Sequence, residues 1–191
     1  MKQKIYLVNY YEHLVGDSAN KGAFLNYEKA KKRYLELVEE KKESILNEAE
    51  NAGENPKNNL EEAKKSDIFY GDCEGSGVLS LCRIETIEIE NIKLGDDIYL
   101  YNFCDEDLGN SRTIKIFKTE KQMKKELENQ IESDFEYFEN CCELDLENEF
   151  NEKEFEKLKQ KRLKEVRKEN CLYCYELDEY FCHKFEKVKV E

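Results

Sequence analysis

The sequence predicts an α+β fold built of two tandem, diverged ββα(α)ββ units, residues 1–94 and 95–191, each an antiparallel sheet with helices packed on one face. Three observations predict it. The chain resembles itself at a fixed offset of 93 positions, the ends of each unit alternate apolar and polar residues as strands do, and an apolar stripe at helical spacing lies between them.

At that offset, Ile5 to Glu39 has ten identities in 35 ungapped positions: Ile5/Ile98, Tyr6/Tyr99, Leu7/Leu100, Asn9/Asn102, Gly16/Gly109, Ser18/Ser111, Phe24/Phe117, Lys31/Lys124, Lys32/Lys125 and Glu39/Glu132. Two strands converging on one apolar pattern would not also match an Asn, a Gly and a Ser. Toward the far end of each unit the offset grows from 93 to 101, so the second unit carries eight more residues in its middle. There Cys73 falls on Cys174, and Ile84, Ile87 and Ile89 fall on Phe185, Val188 and Val190. The shared step of three and then two implies a β-bulge in each closing strand.

Each unit opens with a strand, Lys4 to Tyr11 or Asp97 to Cys104. A polar loop holding Gly16 or Gly109 leads to a short second strand ending at Phe24 or Phe117. Asn26 and Thr119 are placed to cap the helices that follow, with Gln122 completing a capping box after Thr119. The apolar stripes are Ala30, Tyr34, Leu37 and Val38 in the first helix, and Met123, Leu127, Ile131, Phe135 and Phe138 in the second. The Asn-rich stretch Asn51 to Asn59 precedes a short second helix in the first unit; a longer charged helix, about Glu152 to Lys168, takes that place in the second. Closing hairpins run from Ile68 to Gly71 and Val78 to Glu90 around EGSG, and from Leu172 to Glu176 and Tyr180 to Val190 around LDE.

With 39% hydrophobic and 12% aromatic residues the chain can bury a core despite being 39% charged. Its net charge of −13 argues against direct binding to nucleic-acid backbones or anionic membranes and favours a protein partner with a basic surface. Neither a signal-peptide core nor an apolar run of the roughly 20 residues a spanning helix needs is found, so a cytoplasmic location is expected. In that compartment the eight cysteines are expected to stay reduced. One Pro, no Trp and heavy use of Lys, Glu, Asn and Ile fit an AT-rich genome, as in low-GC bacteria and their phages.

No pattern carries catalysis or a cofactor, and neither is expected. His13 lies among Glu12, Asp17 and Ser18, but its counterpart in the second unit is Glu106, so the unit does not require an imidazole there. GDCEGSG lacks the Lys of a phosphate-binding loop and reads as a hairpin turn. Asp105, Glu106 and Asp107 lack the alternating spacing of a calcium loop. Cys171, Cys174 and Cys182, the last followed by His183, offer an alternative zinc site. Adjacent strand residues such as Cys182 and His183 point to opposite faces, however, and the first unit builds the same hairpin without a C-x2-C pair; small buried thiols are the expected reading.

The tract Glu132 to Glu156 holds eleven acidic residues and one basic residue, interleaved with aromatics. It reads either as the wet face of an amphipathic helix and its loop or as a partner-binding surface whose carboxylates imitate a phosphate backbone. On the second reading the binding residues are Glu132, Asp134, Glu136, Glu139, Glu143, Asp145, Glu147 and Glu149. The basic run Lys159, Lys161, Arg162, Lys164, Arg167 and Lys168 is either a helix face paired to nearby acids or a contact for RNA or an acidic protein.

The helix entry Gly22-Ala23-Phe24-Leu25-Asn26-Tyr27-Glu28-Lys29-Ala30 resembles the "G-V-F-S-x-x-E-K-A" entry of a loose group of small phage and prophage proteins; the second unit keeps only Phe117, Thr119 and the position of Met123. The resemblance implies a mobile-element origin, where small acidic proteins without catalytic motifs are often inhibitors of host defence, anti-CRISPR proteins among them. The expected function is a non-enzymatic inhibitor that binds a basic nucleic-acid-handling host protein, with a CRISPR effector favoured. The alternative is a protein-interaction or regulatory module of a phage or bacterium, zinc-stapled through its last hairpin.

Overall fold

The first strand, β1 (Lys2–Glu12), sits inside its sheet, between β2 (Asp17–Phe24) and β4 (Leu79–Glu90), with β3 (Ile68–Asp72) beyond β4. The second sheet has the corresponding order: β5 (Asp97–Asp105) lies between β6 (Asn110–Phe117) and β8 (Glu179–Lys189), with β7 (Cys171–Glu176) beyond β8. Every strand pair is antiparallel. Helix α1 (Tyr27–Glu40) follows β2 and helix α2 (Glu120–Cys142) follows β6. The chain is therefore α+β, with two four-stranded sheets of like strand order and a helix after the second strand of each. This computed structural model describes residues 2–12, 17–41, 61, 63–72, 79–105, 110–142, 156–157, 160–161, 163–164, 167–168, 171–176 and 179–191. His13, Glu106, Asp107, the EGSG turn and the Asn-rich stretch lie outside them. Residues 63–65 are helical, as are the described residues between 156 and 168, where second helices are expected.

Local chemistry starts the helices. Asn26, in extended conformation, accepts the Lys29 amide on its side-chain oxygen at 3.0 Å, satisfying one of the unpaired N–H groups of the first turn of α1. At α2 the Thr119 hydroxyl accepts the Gln122 amide at 3.3 Å and donates to Gln122 Oε1 at 3.1 Å. The Gln side chain thus returns to the hydroxyl, a variant of the expected box. Each cap is worth about 1 kcal/mol.

Alternation along the central strands builds three apolar layers. Val8 and Tyr10 of β1 face α1 and join Phe24, Ala30, Tyr34, Leu37, Val38, Phe69, Cys82 and Ile84. Tyr101 and Phe185 meet Met123, Leu127 and Ile131 of α2 in the same way. The other face of β1, Ile5 and Leu7, packs with Ile98 and Leu100 of β5, along with Ala23, Ile89, Ile92 and Val190. The two sheets therefore stack face to face with one helix on each outside, a four-layer arrangement. Each fully buried aliphatic side chain in it contributes about 1.5–3 kcal/mol of hydrophobic stabilisation.

This layering corrects the reading of the closing strands. The β1–β4 ladder runs without a register shift from Lys2↔Glu90 to Glu12↔Ser80, and no bulge interrupts it. Ile84 faces α1 whereas Ile87 and Ile89 face the other sheet, so the step of three marks a change of buried face. The bulges lie elsewhere. Val8 pairs with Gly22 and Asn9 with Asn20, leaving Lys21 as the extra residue; Tyr101 pairs with Lys115 and Asn102 with Thr113, leaving Ile114. That position explains why Ile114 is 43% exposed. Gly22 is required by contact: a Cβ there would lie 2.6 Å from Phe24 Cζ, so the Phe24 ring covers the space a side chain would take.

Candidate partner-binding surface

Helix α2 carries the start of the acidic tract on the outer layer of the stack. Its stripe of Met123, Leu127 and Ile131 is buried, and Glu128 and Glu132 on the other side are exposed. At about 3.6 residues per turn, helical positions 132, 136 and 139 fall on the side away from that stripe. Position 134, eleven residues or about three turns after Met123, falls on the stripe's own side. Helical positions 132, 136 and 139 thus share one side of α2 and position 134 another; the side chains of Asp134, Glu136 and Glu139 lie outside the described residues. Glu143, Asp145, Glu147 and Glu149 lie outside the described residues, as does Phe150.

Each carboxylate in the first half of α2 has a cationic partner. Glu120 pairs with Lys124, Glu126 with Lys115 at 3.0 Å, and Glu128 with Arg167 at 3.4 Å. The Lys124 ammonium holds the Glu120 carboxyl below its ordinary range. Such exposed pairs add little to stability, but they neutralise the surface they cover. Glu132, the next acidic residue along α2, is exposed. The basic run serves partly as their counterpart: Arg167 reaches Glu128, and Leu163 packs against the α2 core.

The alternative metal ligands do not converge. Cys182 sits opposite Tyr173, Cys174 opposite Phe181 and Cys171 opposite Lys184. Opposite residues share a face and neighbours along a strand alternate, so positions 171 and 182 lie on one face of the sheet and position 174 on the other. His183 is engaged elsewhere, its Nδ1 lying 2.7 Å from the Tyr101 hydroxyl, while Tyr101 stacks on Phe185 with ring centres 4.7 Å apart. Among the described residues no group of three His, Cys, Asp or Glu side chains is arranged to hold a metal ion. At the 101 offset His183 corresponds to Cys82, a buried thiol that desolvation pushes up to about 12, which keeps it protonated and unreactive at neutral pH.

One group of polar residues was not anticipated. Asn9 and Asn102, which match at the 93-residue offset, are buried polar residues at 7% and 4% exposure, on the sheet faces that meet. Glu85 and Glu186, also 101 positions apart, reach the same region, each only 16% exposed. The matched glutamates were the available signal.

Comparison with protein-family models, with curated proteins and with solved structures finds no match for this chain. No helix among the described residues is long and apolar enough to cross a membrane.

Proposed function

We propose that the chain is a non-enzymatic, acidic inhibitor that docks the outer side of α2 on a basic, nucleic-acid-handling protein of a host defence system, in the manner of anti-CRISPR proteins, within the host cytoplasm. The observation that supports this reading most is the placement of the acidic tract. It enters on the solvent side of an outer helix, at the exposed Glu132. In a chain of net charge −13 such a surface attracts a basic channel from a distance and competes with the nucleic acid that channel normally holds.

The test is capture of a partner from host lysate treated with nuclease, followed by competition with duplex DNA. Recovery after nuclease treatment, and displacement of the complex by DNA, support docking in a nucleic-acid channel. A partner that binds this chain and DNA simultaneously, each without effect on the other, refutes it.

A further inference from the structure

The two sheets exchange hydrogen bonds through a reciprocal pair of carboxylates. Thr113 N on β6, in the second sheet, donates to Glu85 Oε2 on β4 of the first at 2.9 Å. Asn20 N on β2, in the first sheet, donates to Glu186 Oε2 on β8 of the second at 3.1 Å. The residues correspond across the repeat: Asn20 to Thr113 at offset 93, and Glu85 to Glu186 at offset 101. Both amides belong to the residue just before a bulge on an edge strand, Lys21 in one case and Ile114 in the other. Each carboxylate is steadied by a cation two residues earlier on its own strand, Arg83 beside Glu85 and Lys184 3.5 Å from Glu186.

Side-chain amides tie the pair together. Asn20 Nδ2 donates to Asn9 Oδ1 at 2.9 Å, Asn9 Nδ2 donates across the interface to Thr113 Oγ1 at 3.1 Å, and Thr113 Oγ1 donates to Asn102 Oδ1 at 2.9 Å. At the rim, the Glu191 amide donates to Ala23 O at 2.7 Å and the Leu25 amide to Glu191 O at 3.0 Å, so the end of the second unit also closes the edge of β2.

We propose that Glu85 and Glu186 form a two-way latch: each unit closes the bulged edge of its neighbour with its own carboxylate, so that the two sheets open and unfold as one body. A bulged edge strand left open is a site for unwanted strand pairing, and here each is capped by a carboxylate of the other sheet. The consequence for binding is geometric. With the sheets latched face to face, α1 and α2 are held on opposite outsides of one rigid body, and the units do not act as two independently moving modules.

Backbone amide exchange of the full chain tests this, residue by residue, in wild type, Glu85→Ala and Glu186→Ala. Glu85→Ala is expected to speed exchange of the Thr113 amide by about tenfold or more and that of Asn20 measurably but less, and Glu186→Ala does the reverse, since a charge-assisted bond is lost in each case and the shared opening becomes easier; an Asn20 amide wholly unaffected by Glu85→Ala would show two independent caps and overturn the latch. Glu85→Gln and Glu186→Gln, which keep an acceptor oxygen, show smaller effects and serve if the Ala variants do not fold. Unprotected Thr113 and Asn20 amides in wild type, or separate unfolding transitions for the two sheets, overturn the proposal.

Discussion

Thr113→Val removes a single hydroxyl from the centre of the interface and keeps the shape of the side chain. Thr113 Oγ1 accepts from Asn9 Nδ2 at 3.1 Å and donates to Asn102 Oδ1 at 2.9 Å, so the substitution strands a donor on one sheet and an acceptor on the other. Both asparagines are nearly inaccessible to water, at 7% and 4% exposure. Each keeps one further bond, Asn9 Oδ1 from Asn20 and Asn102 Nδ2 to Glu186 at 3.4 Å, and these hold the amides in place and hinder their escape to solvent. A buried polar group left without a partner costs about 1–3 kcal/mol, and two such groups, less a small gain from burying a methyl, give about 2–4 kcal/mol. That is a large share of the roughly 5–15 kcal/mol that stabilises a typical protein. Urea unfolding followed by circular dichroism measures it: the midpoint should fall with the slope unchanged. Thr113→Ser keeps the hydroxyl and loses one methyl, a change of about 0.8 kcal/mol. A Val variant as stable as the Ser variant would show that the hydroxyl bonds contribute nothing at this interface.

Stability should also decline in alkali. The folded state holds the Cys82 thiol protonated up to about 12, whereas its ordinary value is 9.0, so the contribution is complete below pH 9 and is lost as pH rises toward 12, by about 1.4 kcal/mol per unit. Tyr27, raised to about 12 by its hydrogen bond to Asp67, adds to the decline above pH 10; unfolding of Cys82→Ala at pH 9 and 10 should therefore show a flatter dependence than wild type. The split positions of Cys171, Cys174 and Cys182 predict no stoichiometric zinc in purified protein by elemental analysis. One zinc per chain, lost with Cys174→Ser, would show that the hairpin ligates metal after all.

Much of the fold was legible because single residues carry unambiguous chemistry. Asn26 reads as a cap from its type and place, and Ala30, Tyr34, Leu37 and Val38 form a stripe that only a helix brings together. The Asn9/Asn102 identity marked equivalent places in two strands. What those asparagines do was not legible, because a polar residue in an apolar strand looks the same whether it meets water or another sheet. Ile84, Ile87 and Ile89 failed as a signal for a related reason: alternation assumes one buried face, and β4 buries one face against α1 and the other against the second sheet. The true bulges, at Lys21 and Ile114, fall in polar, poorly alternating strands where register leaves little trace. On α2, the density of carboxylates was visible in the sequence, but which helical positions lie away from the core depends on the helix phase set by Met123, Leu127 and Ile131.

The proposed docking of the acidic surface is tested most directly by the affinity of the captured partner for wild type and for the triple variant Glu132→Lys, Glu136→Lys, Glu139→Lys, each at low and at physiological salt. These three positions share the side of α2 away from its buried stripe, so the variant should keep its fold, as circular dichroism would verify. At low salt the variant should bind at least about tenfold more weakly, chiefly through slower association, and the gap should narrow at physiological salt, where the Debye length is about 8 Å. Equal affinities of the folded variant and wild type at both salt strengths would contradict it.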